Sequence, residues 1–150
     1  MIDRQSVLQL MNESEAVYLV TVSGMGFCIR ALVNLRRSDL YLGSSEFCRK
    51  DGFTVYFSTS MSSGKAREIR ENPSVAAYYC DPRKVHGAML SGQVEILTDP
   101  KLKRALWSDQ WLIYWRGGAS DPDYVVLRLK PVEVTGWWGT VPFHFEVGAP

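Results

Sequence analysis

The chain has 150 residues, a formal net charge of +1, 22% charged residues and 46% hydrophobic residues. These values are typical of a soluble globular protein, so we expect one domain over residues 1–150 and exclude wholesale disorder. The near-zero net charge argues against a general nucleic-acid binder. We also expect no membrane span, no metal site and a cytoplasmic location, because long apolar runs, CxxC pairs and a signal-peptide pattern are all absent from the sequence.

The predicted elements alternate short helices with strands. Apolar spacing, cap residues and turn signals predict helices over residues 3–12, 62–71 and 99–106 and strands over residues 16–23, 27–35, 53–59, 75–80, 87–97, 124–130 and 132–138. Residues 40–42 are a further candidate strand, and residues 24–26 indicate a turn. Strands in this number with few helices predict a mainly β fold, an antiparallel barrel with peripheral helices.

Alternation along two of the strands assigns side chains to faces. In the second strand the wholly apolar set is predicted to face the core, and it consists of Phe27, Ile29, Ala31, Val33 and Leu35. Arg30 lies on the opposite face with Cys28. In the last strand Val132, Val134, Gly136 and Trp138 share one face, and Trp137 lies on the polar one unless a bulge near Gly136 shifts the register. A large aromatic side chain on a polar face favours contact with a ligand or a partner.

A run of hydroxyl side chains precedes the helix predicted over residues 62–71. It contains Ser58, Thr59 and Ser63, followed by Gly64 and Lys65. A helix N-terminus offers free N–H groups and a positive dipole end, so hydroxyls and a lysine there form a candidate phosphate cradle. The alternative is a capped surface helix whose charges are only solvated. The other charged residues of this helix, Glu68 among them, are interpreted as a solvated face.

Other conspicuous residues are assigned to packing or to the surface. Trp107, Trp111 and Trp115 recur every four residues, which predicts one helical stripe that packs in the core or a dimer interface, with a lid over a ligand as the alternative. His86 and His144 have no partner at metal-ligand spacing and are expected in turns or at the surface.

The order of several segments resembles the pyridoxamine 5′-phosphate oxidase-like superfamily of FMN-binding split β-barrels. The segments are residues 30–33, residues 57–59 leading to Ser63-Gly64-Lys65, residues 66–69 with Asn72-Pro73, and the later stretches 90–100 and 121–131, which are similar to the general stress protein branch. The resemblance extends from about residue 16 to residue 139. It implies a six- to seven-stranded antiparallel split β-barrel.

The resemblance also implies a homodimer with FMN at the subunit interface. Arg30 and Lys65 would bind the FMN phosphate, and Thr59 and Ser63 would add hydrogen bonds. The backbone of Arg30, Ala31, Leu32 and Val33 would run beside the isoalloxazine ring, with Ser58 near its edge and Trp137 reaching the flavin region.

Departures from the family pattern argue against an authentic pyridoxamine phosphate oxidase. Gly64 replaces a phosphate-binding arginine, Gly87 replaces a flavin-contacting glutamine, and residues 143–145 lack the arginine that grips the substrate. We therefore expect a flavin-dependent oxidoreductase that acts on a small molecule, with NAD(P)H as a candidate donor and no catalytic residue assigned. A non-catalytic flavin-binding stress protein and a deazaflavin- or haem-binding relative are the alternatives.

Overall fold

The computed structural model describes residues 2–24, 26–41 and 51–148. Its helices are α1 (Arg4–Glu13), α2 (Gly64–Glu71) and α3 (Pro100–Leu106), with short 3-10 helices at Asp109–Ile113 and Gly118–Ser120. Its strands are β1 (Ala16–Ser23), β2 (Gly26–Val33), β3 (Val55–Ser60), β4 (Ser74–Asp81), β5 (His86–Leu97), β6 (Tyr124–Trp138) and β7 (Val141–Glu146). Met25 of the predicted turn, Leu42 of the candidate strand and Cys48 lie outside the described residues. Leu40 and Tyr41 form no strand.

Side-chain caps begin the three α-helices of the described ranges. The caps of α1 and α3 are the predicted ones, and the cap of α2 lies in the serine-rich start predicted for that helix, which begins at residue 64 and not at 62. Asp3 accepts a hydrogen bond from the amide of Ser6, Ser63 from that of Ala66, and Asp99 from that of Leu102. Such caps satisfy amides that have no acceptor within the helix. The helix boundaries are therefore encoded locally.

The strands form one antiparallel sheet in the order β2-β1-β4-β5-β6-β3, and β7 pairs with β6. The sheet curls so that β2 contacts β3. Over the described ranges these two strands are not hydrogen-bonded neighbours, so the barrel stays open between them. This confirms the predicted mainly β, six- to seven-stranded antiparallel split barrel, and the described ranges contain seven strands.

Within the described residues, two clusters of buried side chains stabilise the fold. The larger one fills the barrel and includes Leu19, Phe57 and Leu90. The smaller one gathers Trp111 and Trp115 with other side chains around the buried ring of Tyr124. Burial of this apolar surface is the main favourable contribution to folding.

The orientation predicted for β2 is wrong. Phe27 and Ile29 are 79% and 67% exposed, Ala31 and Val33 are also exposed, and Arg30 points toward the inside of the open barrel. The inner face of this edge strand is the one with Arg30, which meets polar groups of β1 and α2, and Leu32, which packs against the core. Only Leu35, which follows the strand, is buried as predicted.

The two final strands predicted from Pro131 are one continuous strand, β6. Pro131 pairs with Gly92, and the β5–β6 register shifts between Ser91 and Gly92. Proline is tolerated at such an irregularity because its missing N–H removes no regular ladder bond. Val132 lies at the shift and is 63% exposed, so its predicted place on the same face as buried Val134 is also wrong.

Strand β7 was not predicted. Its residues alternate between exposed and half-buried positions, with Phe143 and Phe145 packed against the core. Pro142 obscured this period-2 signal, since proline is usually confined to edge strands or bulges. A glycine in the left-handed region, Gly139 with φ +65°, allows the tight turn that joins β6 to β7.

The three tryptophans do not form one helical stripe, because α3 ends at Leu106. They instead surround Tyr124, and their ring centroids lie 5.2, 6.3 and 4.9 Å from its ring for Trp107, Trp111 and Trp115. The packing role was thus predicted correctly and the helix was not.

His86 stacks on Trp138 at 3.8 Å, and exposed His144 lies 3.2 Å from Glu133.

Replacement of Gly136 by alanine is expected to lower the free energy of unfolding by about 3 kcal/mol, because overpacking forces the backbone to shift. A Cβ at Gly136 would lie 2.0 Å from the backbone oxygen of Gly87 on the neighbouring strand. Urea unfolding monitored by circular dichroism measures the effect. Gly26→Ala is the matched control, since its Cβ would meet only the Ser23 oxygen at 3.8 Å. Equal stability of the two variants would contradict the prediction.

Candidate phosphate-binding site

The open side of the barrel, between β2 and β3, collects the charged and hydroxyl groups predicted for a phosphate cradle. Arg30 comes from β2, Thr59 from β3, and Lys65 from the first turn of α2. Strand alternation places Arg30 and Thr59 on the inner face, and the Ser63 cap fixes where the helix begins. The structure therefore brings these four predicted residues to one region.

Lys65 is held against β3. Its ammonium Nζ donates a hydrogen bond of 2.7 Å to Oγ1 of buried Thr59. Burial, together with the positive charge of Arg30, lowers the pKa of Lys65, while the Glu68 carboxylate acts in the opposite direction. A half-buried ammonium beside a second cation is a site that an anion stabilises.

Arg30 is fixed from one end of its guanidinium. Nη1 donates to Oγ1 of Thr21 at 2.7 Å and to the carbonyl oxygens of Cys28 and Leu19 at 3.2 and 3.5 Å. Nη2 lies 3.5 Å from Oε2 of Glu68, with which it forms a salt bridge. The side chain is about one quarter exposed, so it is held by the protein and open to solvent at once.

Glu68 and Thr21 are residues of this site that the sequence analysis missed. Glu68 was interpreted as part of a solvated face, yet it is buried and accepts a 2.5 Å hydrogen bond from Oγ1 of Thr21. That hydrogen bond, with the charge of Arg30, lowers the pKa of the Glu68 carboxyl. Two signals were present: Glu68 lies three residues after Lys65 on the same helix face, and Thr21 shares the core face of β1 with Leu19.

The loop before α2 is tied down from another part of the chain. The Ser62 amide and hydroxyl both donate to the Asp123 carboxylate at 2.9 Å, and the Met61 amide donates to the Asp123 carbonyl. Like those of any helix start, the first-turn amides of Gly64 and Lys65 have no acceptor within the helix. A fixed helix start with free amides and a positive dipole end is suited to an anion.

The remaining predicted residues lie elsewhere. Ser58 is on the other face of β3, with its Oγ 3.3 Å from the hydroxyl of Tyr124. Ala31 and Val33 are on the exposed outer face of β2, and Leu32 packs against the core. Trp137 is 57% exposed on the outer face of β6 and is paired across strands with Gly87. Strand β6 also pairs with the cradle strand β3, but through residues 124–129 at its opposite end.

Gly87 has a packing reason to be glycine. A Cβ there would lie 2.1 Å from the hydroxyl oxygen of Tyr78, whose ring covers this position. A longer side chain on this strand would displace the ring, so Gly87 offers no side chain to a ligand. The space that a glutamine side chain would need at position 87 is therefore occupied by the ring of Tyr78.

No group of three or more His, Cys, Asp or Glu side chains that could hold a metal ion occurs within residues 2–24, 26–41 and 51–148. No helix in those ranges is long and apolar enough to cross a membrane.

The family model described as pyridoxamine 5′-phosphate oxidase like matches residues 46–145, which is 100 of the 150 residues. The chain belongs to this family. The matched stretch includes Thr59, Ser63, Lys65 and Trp137, whereas Arg30 precedes it. Membership in the pyridoxamine 5′-phosphate oxidase-like family thus agrees with the resemblance found in the sequence and with the split barrel.

A named bacterial protein and a crystal structure are similar to this chain. General stress protein 26 of Bacillus subtilis is 33% identical over 87 residues, covering 56% of this chain and 61% of that protein, less than two thirds of its length. The crystal structure of a Clostridium acetobutylicum protein related to general stress protein 26 is 26% identical, covers 97% of both chains and has a TM-score of 0.75.

Two more distant structures share the fold. One is a general stress FMN/FAD binding protein from Xanthomonas citri, 16% identical, with a TM-score of 0.71 and coverage of 98% of this chain and 96% of that chain. The other is a haem binding protein from Mycobacterium smegmatis, 14% identical, with a TM-score of 0.64 and coverage of 97% and 60%. The family's fold therefore occurs in proteins named for different cofactors.

Proposed function

We propose that this protein is a homodimeric FMN-binding flavoprotein and a flavin-dependent oxidoreductase of small molecules. The observation that carries the proposal is the convergence of two half-buried cations, Arg30 and Lys65, at the capped start of α2 in the open side of the barrel. A phosphate group is the ligand that this donor set fits best.

The N–H groups of Arg30 and Lys65 that the protein's own hydrogen bonds do not use are suited to a phosphate. Arg30 has five N–H hydrogens, and the bonds through Nη1 and Nη2 leave Nε and one hydrogen of Nη2. Lys65 uses one of its three hydrogens on Thr59. These donors, together with the first-turn amides of α2, can hydrogen-bond the oxygens of a multiply charged oxyanion.

The exposed outer face of the sheet supports the dimer. Phe27, Ile29 and Val33 of β2 continue across the paired strands into Tyr78 and Met89. An apolar face of this extent on a soluble protein marks an interaction surface. In a dimer, a partner that covers this face would complete a cofactor site that one chain leaves open.

When bound, the flavin would supply the redox chemistry, with NADH or NADPH as the proposed donor. The chain's own part would be to hold the phosphate with Arg30, Lys65, Thr59 and Ser63, and to exclude water from the ring at the dimer interface. Authentic pyridoxamine phosphate oxidase activity is not proposed, because β7 contributes His144 engaged with Glu133 and no arginine for a substrate phosphate.

The test is a fluorescence titration of the purified protein with FMN, riboflavin, FAD, a deazaflavin and haem in parallel. We expect tight FMN binding and much weaker riboflavin binding, because riboflavin lacks the phosphate. Equal binding of FMN and riboflavin, or selective binding of haem, would overturn the proposal. If FMN binds, assays with NADH and NADPH then separate an oxidoreductase from the second candidate, a non-catalytic flavin-binding stress protein.

Trp137→Ala is expected to reduce the quenching of bound flavin fluorescence while leaving the melting temperature nearly unchanged. The exposed ring contributes little to the core, and surface substitutions usually change stability by less than about 0.5 kcal/mol. Flavin emission and thermal unfolding of the variant measure both effects. Trp115→Ala is the control, because it removes a buried ring and should destabilise the fold. A large drop in the melting temperature of Trp137→Ala would contradict the assignment.

A further inference from the structure

We propose that Glu68, acting through Thr21, is a positioning residue that holds Arg30 ready for the phosphate. The inference rests on the proposed FMN function and adds to it a residue pair that does not itself contact the ligand. The starting observation is that Glu68 of α2 is buried and that its carboxylate accepts hydrogen bonds from Thr21 of β1 and Arg30 of β2.

The first step is the direction in which Arg30 is held. Its inner end is bound through Nη1 to Thr21 and to two backbone carbonyls, and through Nη2 to Glu68. The edge formed by Nε and the second hydrogen of Nη2 is left over. That edge is one of the two on which a guanidinium binds an oxyanion with two parallel hydrogen bonds.

The second step is the direction of the Thr21 hydroxyl. A hydroxyl has one hydrogen to donate, and here it goes to Oε2 of Glu68. The lone pairs of Oγ1 are then available to Arg30 Nη1 at 2.7 Å. Without the carboxylate, the hydroxyl could rotate and would no longer be fixed as an acceptor for Arg30.

The third step is the charge balance of the cradle. Arg30 and Lys65 are like charges that act on each other, and the Glu68 carboxylate is the anion near both. It stabilises the two cations together before a ligand arrives. Arg30 is therefore ordered before the phosphate binds, so binding does not carry the entropic cost of immobilising this side chain.

The experiment compares FMN and riboflavin titrations of Glu68→Ala, Glu68→Gln and Thr21→Val with wild type. We expect Glu68→Ala and Thr21→Val to weaken FMN binding about three- to tenfold, the cost of ordering one long side chain on binding, with riboflavin binding unchanged. Glu68→Gln keeps an oxygen that accepts from Thr21, so it should restore much of the loss. Glu71→Gln is the matched control, an exposed glutamate on the same helix.

Each outcome decides between positioning and its alternatives. If Glu68→Ala and Glu68→Gln both bind FMN more tightly than wild type, Glu68 competes with the phosphate and the inference is wrong. If FMN and riboflavin binding fall together with the melting temperature, its role is structural and the inference is also wrong. Thr21→Ser, which keeps the hydroxyl, should behave as wild type. Failure of wild type itself to prefer FMN over riboflavin would overturn the proposed function instead.

Discussion

Arg30→Ala and Lys65→Ala should each weaken FMN binding about ten- to a hundredfold, with little effect on riboflavin. Each substitution removes a charge-assisted hydrogen bond to the phosphate, which contributes about 1.5–3 kcal/mol. The effect of Lys65 should lie toward the upper end, because its ammonium is half-buried and its pKa is already lowered by burial and by Arg30. The measurement is a titration of flavin fluorescence at fixed ionic strength.

The control for these variants lies on the same helix. Arg67 is exposed and has no predicted role in the cradle, so Arg67→Ala removes an equal charge without removing a proposed phosphate contact. It should bind FMN as wild type does. If all three variants lost affinity equally, the effect would come from general electrostatic attraction and not from a cradle. If neither Arg30→Ala nor Lys65→Ala lost affinity, the phosphate assignment would be wrong.

Ile29→Asp should convert the proposed dimer into a monomer and abolish tight flavin binding. Ile29 is 67% exposed, between Phe27 and Ala31 on the outer face of β2. A carboxylate in the centre of an apolar interface would lose its hydration with no partner to replace it. In an isolated chain the same substitution is on the surface, so the fold itself should persist.

Light scattering of the wild type and the variant at several concentrations measures the change, with circular dichroism as the check on folding. Ile113→Asp is the matched control: Ile113 is 78% exposed but lies in a 3-10 helix away from the sheet face. It should remain dimeric. A monomeric wild type that still binds FMN, or a dimeric Ile29→Asp, would rule out this interface.

What the sequence predicted well depends on short-range chemistry. The starts of α1, α2 and α3 follow from Asp3, Ser63 and Asp99, since a cap acts on amides only a few residues away. The cluster of Thr59, Ser63 and Lys65 was found for the same reason, because a strand end and a helix start adjoin in the chain. These features require no knowledge of distant partners.

What it predicted wrongly depends on which surfaces meet in space. Alternation divided β2 correctly into two faces, but it could not tell that Phe27 and Ile29 face outward, because this depends on the strand's place at the sheet edge. Glu68 was misread for a similar reason: a charge pattern along a helix does not reveal that Thr21 and Arg30 lie beneath it. Pro131 suggested a break that the β5–β6 irregularity absorbs.

The tie between Ser62 and Asp123 has a consequence for the order of folding. All the cradle residues are synthesised by position 68, yet β3 pairs with residues 124–129 of β6, more than sixty residues later in the chain. Met61 and Ser62 also donate hydrogen bonds to Asp123. During synthesis, the cradle residues therefore leave the ribosome before the strand and the aspartate that hold them in place. The cradle can form only after most of the chain has been made.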